Sequence, residues 1–112
     1  MSVMTDMIDA LKGAGLDAYL PGRHQGPCLT AYVAIEDGGV VRTGKTTGRH
    51  IYQLTAMVPV DRPGDMTRLL REIRAAMNTL PHLRAGDDSP DMIDEEKSAY
   101  CVTLEYSALC SA

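Results

Sequence analysis

The sequence predicts a small single α+β domain of order α-β-β-β-α-β, a mostly antiparallel four-stranded sheet with two helices packed on one face. Three observations predict it. Residues 29–35, 50–60 and 99–109 alternate apolar and polar side chains, the period of half-buried strands. Residues 3–14 and 65–80 repeat apolar side chains at the helical period, each with one stripe. A chain of 112 residues leaves room for one domain. Alternating strands cover one sheet face, and helices with single stripes suit that face.

In the first helix, residues 3–14, Met4, Ile8 and Leu11 fall at i, i+4 and i+7, with Met7 beside them. Ser2 or Thr5 can cap its start, and Asp6 and Asp9 suit the positive end of its dipole. Gly13 and Gly15 stop it, Gly15 as the residue just past the end. Leu16–Leu20 is a short extended piece closed by Pro21-Gly22, and residues 23–27 form a loop. The strand 29–35 puts Leu29, Ala31, Val33 and Ile35 on one face. Residues 36–49, polar and with four glycines, read as a long hairpin connection.

In the strand 50–60, Tyr52, Leu54, Ala56, Val58 and Val60 share one side, and Gln53, Thr55 and Met57 the other. The turn 61–64 leads into the clearest element, the helix 65–80. There Met66, Leu69, Leu70, Ile73, Ala76, Met77 and Leu80 hold the period, with Asp65 as N-cap and Pro81 as stop. Residues 81–97 are polar, acidic and turn-rich. The last strand turns Tyr100, Val102, Leu104, Tyr106 and Ala108 inward.

Composition narrows the function classes. The chain has no Trp or Phe, five Tyr and seven Met, so its 45% hydrophobic content is spread over small side chains. Aromatics normally supply much of a core's buried area. A domain built this way gains from a partner surface. A net charge of −4 argues against specific nucleic-acid binding. Cys28, Cys101 and Cys110 show neither disulfide parity nor metal spacing, which points to the reducing cytoplasm. The acidic N-terminus has no signal-peptide pattern, and no apolar run is long enough for a membrane span.

Residues 39–46, Gly39-Val-Val-Arg-Thr-Gly44-Lys45-Thr46, match the phosphate-loop pattern letter for letter. A working loop needs a helix after it, whose N-terminal amides hold phosphate. Here an alternating strand follows, so the match reads as chance within a Gly-rich hairpin. The competing reading keeps it as an anion or nucleotide site in a ferredoxin-like domain, with Arg42 and Arg49 beside Lys45. His24, His50 and His82 are scattered and form no metal-type pair. No spacing points to a Cys–His nucleophile, and no Ser has a nucleophile-elbow context. The expectation is therefore no catalysis, no metal and no cofactor.

Charge is segregated. Asp87, Asp88, Asp91, Asp94, Glu95 and Glu96 cluster in one segment. Arg42, Lys45 and Arg49 lie in the hairpin, and Arg68, Arg71 and Arg74 line one side of the second helix. Exposed ion pairs add only about 0–1 kcal/mol each. Two patches of opposite sign are, however, what a head-to-tail contact between copies requires. Arg42, Lys45, Arg49, Arg68, Arg71, Arg74, Asp91, Asp94, Glu95 and Glu96 are the candidate subunit-interface residues.

The layout resembles the tail terminator, or tail-completion, family of long-tailed bacteriophages and prophages. The likeness rests on the short opening helix Met4–Ala14, the brief strand Leu16-Asp-Ala-Tyr-Leu20 and the two-strand hairpin. The amphipathic helix entered through Val60-Asp-Arg-Pro-Gly64 and the final strand Ser98-Ala-Tyr-Cys-Val-Thr-Leu-Glu-Tyr106 complete it. It covers nearly the whole chain as element order and texture, without a diagnostic motif. The resemblance implies a non-enzymatic virion protein, assembled in the host cytoplasm into a ring, typically hexameric, at the head-proximal end of the tail. Such a ring caps the tail tube, ends its polymerisation and faces a head connector or stopper protein. Residues 36–49 would reach a neighbour or the tube. A head-completion or connector protein is the nearest alternative.

Overall fold

The structure is a computed structural model that describes residues 3–20, 28–89, 91–95 and 97–111. Their elements run α1 (Val3–Gly13), β1 (Ala18–Tyr19), β2 (Tyr32–Arg42), β3 (Thr47–Pro59), α2 (Asp65–Met77), β4 (Leu83–Asp88), β5 (Met92–Asp94) and β6 (Ala99–Ser111). The sheet is ordered β1-β2-β3-β6-β4, with β5 also paired to β6. β1 lies parallel to β2. Every other pair is antiparallel.

The α+β class holds, but the expected four-stranded sheet is corrected to a six-stranded mixed one. The missed strands, β4 and β5, lie in the acidic stretch expected to be loop. Their side chains stay largely exposed, so no apolar alternation marks them, and their backbones pair along β6 instead. The long hairpin connection is corrected as well. β2 continues to Arg42 and β3 starts at Thr47, which leaves residues 43–46 as the turn. The first of the three main strands begins at Tyr32, and Leu29, expected to face inward, is 78% exposed. The loop expected over residues 23–27 lies outside the described residues.

Helix α1 ends as its glycines suggest. Gly15 takes φ +83°, the left-handed region that side chains avoid. The Leu16 N–H donates to Leu11 O at 3.0 Å and the Gly15 N–H to Lys12 O at 3.0 Å. This paired arrangement satisfies carbonyls that the helix end leaves open. Helix α2 departs from expectation at both ends. Gly64 is its N-cap, without a side-chain cap, and Asp65 sits in the first turn. It stops at Met77 with Asn78 as C-cap, short of Pro81.

Both helices pack on one face of the sheet. Met7 and Leu11 of α1, with Met66, Leu69, Ile73 and Met77 of α2, join one cluster with Val33, Ile35, Leu54, Val58, Val102 and Leu104. Tyr52, Ala56, Tyr106 and Ala108 belong to it, as the alternation predicts, while Val60 lies beyond the strand and is exposed. The opposite face carries a small second cluster of Cys28, Tyr32, Met57 and Ala99, which Tyr19, Ala34 and Cys101 flank. Tyr19 meets Tyr32 edge to face with centroids 5.6 Å apart. Farther along that face a Thr55–Thr103 hydroxyl contact of 3.2 Å replaces apolar packing.

Leu54, on the central strand, is fully buried. Leu54→Ala is expected to lower unfolding stability by about 2–5 kcal/mol in urea denaturation, and Val60→Ala by less than about 0.5 kcal/mol. Equal effects at both positions would contradict the burial assigned to them.

Candidate assembly surfaces

Simple lengths decide which part of the sheet is covered. Helix α2 has 13 residues, about 20 Å of helix. Strand β3 also has 13 residues, about 43 Å of strand. The helix therefore spans about half of that strand's length, and the molecule is drawn out to 47 Å in its longest dimension. Beyond Ile35, β2 is exposed along its whole remaining length, and it forms an arm with the start of β3 and the end of β6, where Thr47 and Leu109 are exposed while Gly48 and Ala108 stay buried. Val40 pairs with His50, on the helix side, and Val41 with Arg49, on the opposite side. Leu109 also pairs with Arg49. Val40, Val41 and Leu109 are 53%, 55% and 71% exposed, so the arm shows apolar side chains on both faces.

A bulge shapes the arm. Gly38 is the extra residue between Asp37, which pairs with Tyr52, and Gly39, which pairs with Ile51. Gly39 has φ +86°. Its N–H donates to Asp37 Oδ1 at 2.8 Å, a local side-chain bond that fixes the turn of the backbone. His50 Nε2 lies 2.6 Å from the same oxygen, and its ring stacks on Tyr52 at 4.6 Å. The Gly39 amide first, and His50 second, hold the Asp37 carboxyl below the usual aspartate range. Among the described residues no hydroxyl or thiol is bonded to this imidazole, and no group of three His, Cys, Asp or Glu could hold a metal.

The phosphate-loop match becomes the end of β2, the turn 43–46 and the start of β3 at Thr47, with no helix. The amides that would cradle phosphate are consumed. The N–H groups of Thr43 and Gly44 donate to Thr47 O at 3.1 and 3.2 Å. A Cβ at Gly44 would lie 2.6 Å from Thr47 Oγ1, so this glycine serves the tight turn.

Arg42 and Lys45 sit exposed at the arm's tip. Arg49 lies between Val41 and Leu109 and is tied down, Nε donating to Ser107 Oγ at 2.8 Å and Nη2 to Ser107 O at 3.2 Å. Two of the three helix arginines are engaged within the chain. Arg68 pairs with Glu72 at 3.2 Å, and Arg74 with Asp88 at 2.6 Å, binding α2 to β4. Arg71 is exposed. Asp91 accepts from the Tyr100 hydroxyl, and Asp94 Oδ1 accepts the Lys97 N–H at 3.2 Å. Glu95 is exposed, and Glu96 lies outside the described residues. The acids of β5 and the basic tip thus stand at opposite ends, since β5 pairs with the Ala99 end of β6 and Thr47, beside the tip, with Ser111.

Sequence reading missed the exposed valines, the Asp37–His50 pair and the β4 edge. Val40-Val41 inside a Gly-rich polar stretch was the one available signal. Burial raises the Cys28 and Cys101 thiols, which makes both poor nucleophiles. A groove of about 630 Å³ between α1 and β1 is lined by Ile8, Lys12, Leu16, Asp17 and Tyr19.

No protein-family model matches the chain. No curated protein matches it either. Among solved structures, the fold is similar to the core region of PilO from the type IV pilus system of Pseudomonas aeruginosa. The TM-score is 0.56 at 10% identity, covering 100% of this chain and 94% of that one. At that identity the likeness is one of fold alone.

The bulge yields a titration prediction. A depressed folded-state pKa means that Asp37 contributes stability above its unfolded-state pKa and loses it as pH falls below about 4. In an NMR titration of His50→Ala, Asp37 is expected to stay below the ordinary aspartate value, because the Gly39 amide remains. A return to the ordinary value would make His50 the dominant cause.

Proposed function

We propose that this chain is a structural subunit that assembles head to tail into a ring, and that the ring terminates a bacteriophage tail. The observation that carries the assembly is the arm, which outruns the helices and exposes Val40, Val41 and Leu109 on two faces. Exposed apolar groups on a rigid, hydrogen-bonded element are suited to burial against a partner. A heterologous contact needs two unlike surfaces, and the sheet has two unlike edges, one along β2 and one along β4. The tail terminator assignment rests on the resemblance in element order, which also implies the hexamer, the tube protein as one partner and the head connector as the other. Arg42 and Lys45 at the tip are assigned to the salt-sensitive part of docking, on a neighbouring copy or on the tube.

The test is molar mass by light scattering over a range of concentrations and salt, alone and with purified tube protein, with electron microscopy for ring shape. Rings that bind the tube end and shorten tubes support the full reading. Rings that bind connector protein but not tube move the chain to the connector. A folded monomer under every condition, tube present, overturns the assembly reading. Arg42→Glu with Lys45→Glu is expected to leave the fold intact and weaken docking at least tenfold at low salt, the difference fading at high salt. Identical docking by variant and parent would remove the tip from the interface.

A further inference from the structure

We propose that neighbouring copies join by continuing the sheet, the outer edge of β2 in one copy pairing antiparallel with the outer edge of β4 in the next. This rests on the self-assembly reading and names its junction.

β1 pairs only with Val33 and Ala34, so from Asp37 to Arg42 the outer edge of β2 has no strand partner among the described residues. The direction of its backbone groups follows from two bonds. The Val33 N–H donates to Asp17 O at 2.9 Å, away from β3, and the Thr43 N–H donates to Thr47 O at 3.1 Å, toward it. Backbone groups point alternately to the two sides of a strand. Counting between these anchors, with one residue added at the Gly38 bulge, directs the N–H and C=O of Asp37, Val40 and Arg42 outward.

The opposite edge matches in height and in phase. One row across the sheet reads Asp37–Tyr52–Tyr106–Ala85, and another Val40–His50–Ala108–Leu83. Along a row of antiparallel strands, hydrogen-bonded and non-bonded pairs alternate from gap to gap. Each row crosses four strands and starts with an outward residue, so it ends with one: Ala85 and Leu83 direct their backbone groups away from β6. A copy alongside at the same height sets Ala85 opposite Asp37 and Leu83 opposite Val40. Ala85 and Asp37 can exchange two hydrogen bonds. Leu83 can only accept from Val40, because its own N–H donates to Leu80 O at 3.1 Å.

Direction also agrees. β2 is antiparallel to β3, β3 to β6 and β6 to β4, so β4 runs opposite to β2 and side-by-side copies meet antiparallel. Side chains complete the fit: Val40, exposed, and Leu83, half-buried, lie on the same face and would cover each other. Height, phase, direction and the apolar pair all arise from this chain's own two edges, which makes a second copy the occupant.

The test is a cysteine pair, Val40→Cys with Leu83→Cys, in a Cys110→Ser background, oxidised with diamide. The double variant is expected to give a reducible ladder of dimers and larger species, and each single variant no ladder. A double variant that stays uncrosslinked while the parent is oligomeric overturns this junction and leaves assembly standing. A parent that is monomeric under all conditions overturns both. Val40→Pro removes an outward N–H that has no strand partner among the described residues, so it should keep the parent's circular dichroism and melting temperature while weakening association at least tenfold. An unchanged oligomer mass in a folded Val40→Pro rejects the edge pairing, and if that variant fails to fold the cysteine pair decides.

Discussion

The ladder between β3 and β6 runs from Thr47–Ser111 to Pro59–Ala99 without a register break, and the remaining elements take their places from it. Its thirteen pairs join two strands 40 residues apart in sequence, and both supply the inward side chains that α1 and α2 cover. A one-residue slip would send Leu54, Val58, Val102 and Leu104 to the uncovered face and Gln53, Thr55, Thr103 and Glu105 into the core. The inner half of the ladder is held by that burial. The outer end, past Ala108, adds no side chain to that core and stands as an extension of a rod already made rigid below.

The extension is why an unoccupied surface arises without any irregular loop. A strand gains about 3.3 Å per residue and a helix 1.5 Å, so at equal residue counts the strand runs on past the helix. Arg49 shows how the arm is stabilised within the chain: its guanidinium folds down onto Ser107, where a free arginine would extend into water. The Asp37 carboxylate does similar work, gathering the Gly39 amide and His50 around the bulge. These contacts stiffen the arm but leave Val40, Val41 and Leu109 uncovered.

Legibility from sequence followed burial closely. Where side chains bury on one face, the pattern was readable: Met7 and Leu11, the stripe from Met66 to Met77, and the alternation through Leu54 and Leu104 all face the core. Where backbone pairing acts without burial, it was not. β4 has the sequence Leu-Arg-Ala-Gly-Asp-Asp and the distal half of β2 begins Glu-Asp-Gly-Gly, compositions that signal turn, yet both are held by a neighbouring strand. The candidate surface was half legible for the same reason. Charges can be counted in a sequence, so the basic tip and acidic stretch were visible, but the meeting of Arg74 with Asp88 depends on a strand that the pattern did not show.

The bulge at Gly38 has a counterpart in β4, where the pairing shifts between Ala85 and Asp88, one row away across the sheet. Such irregularities increase the local coiling of a strand. In an assembly joined edge to edge, every added copy leaves the same edge open, and only accumulated curvature decides whether the series meets itself or grows into a fibre. The two bulges would then set the number of copies per turn, so that a glycine of the backbone, and no side chain at the contact, governs when growth stops.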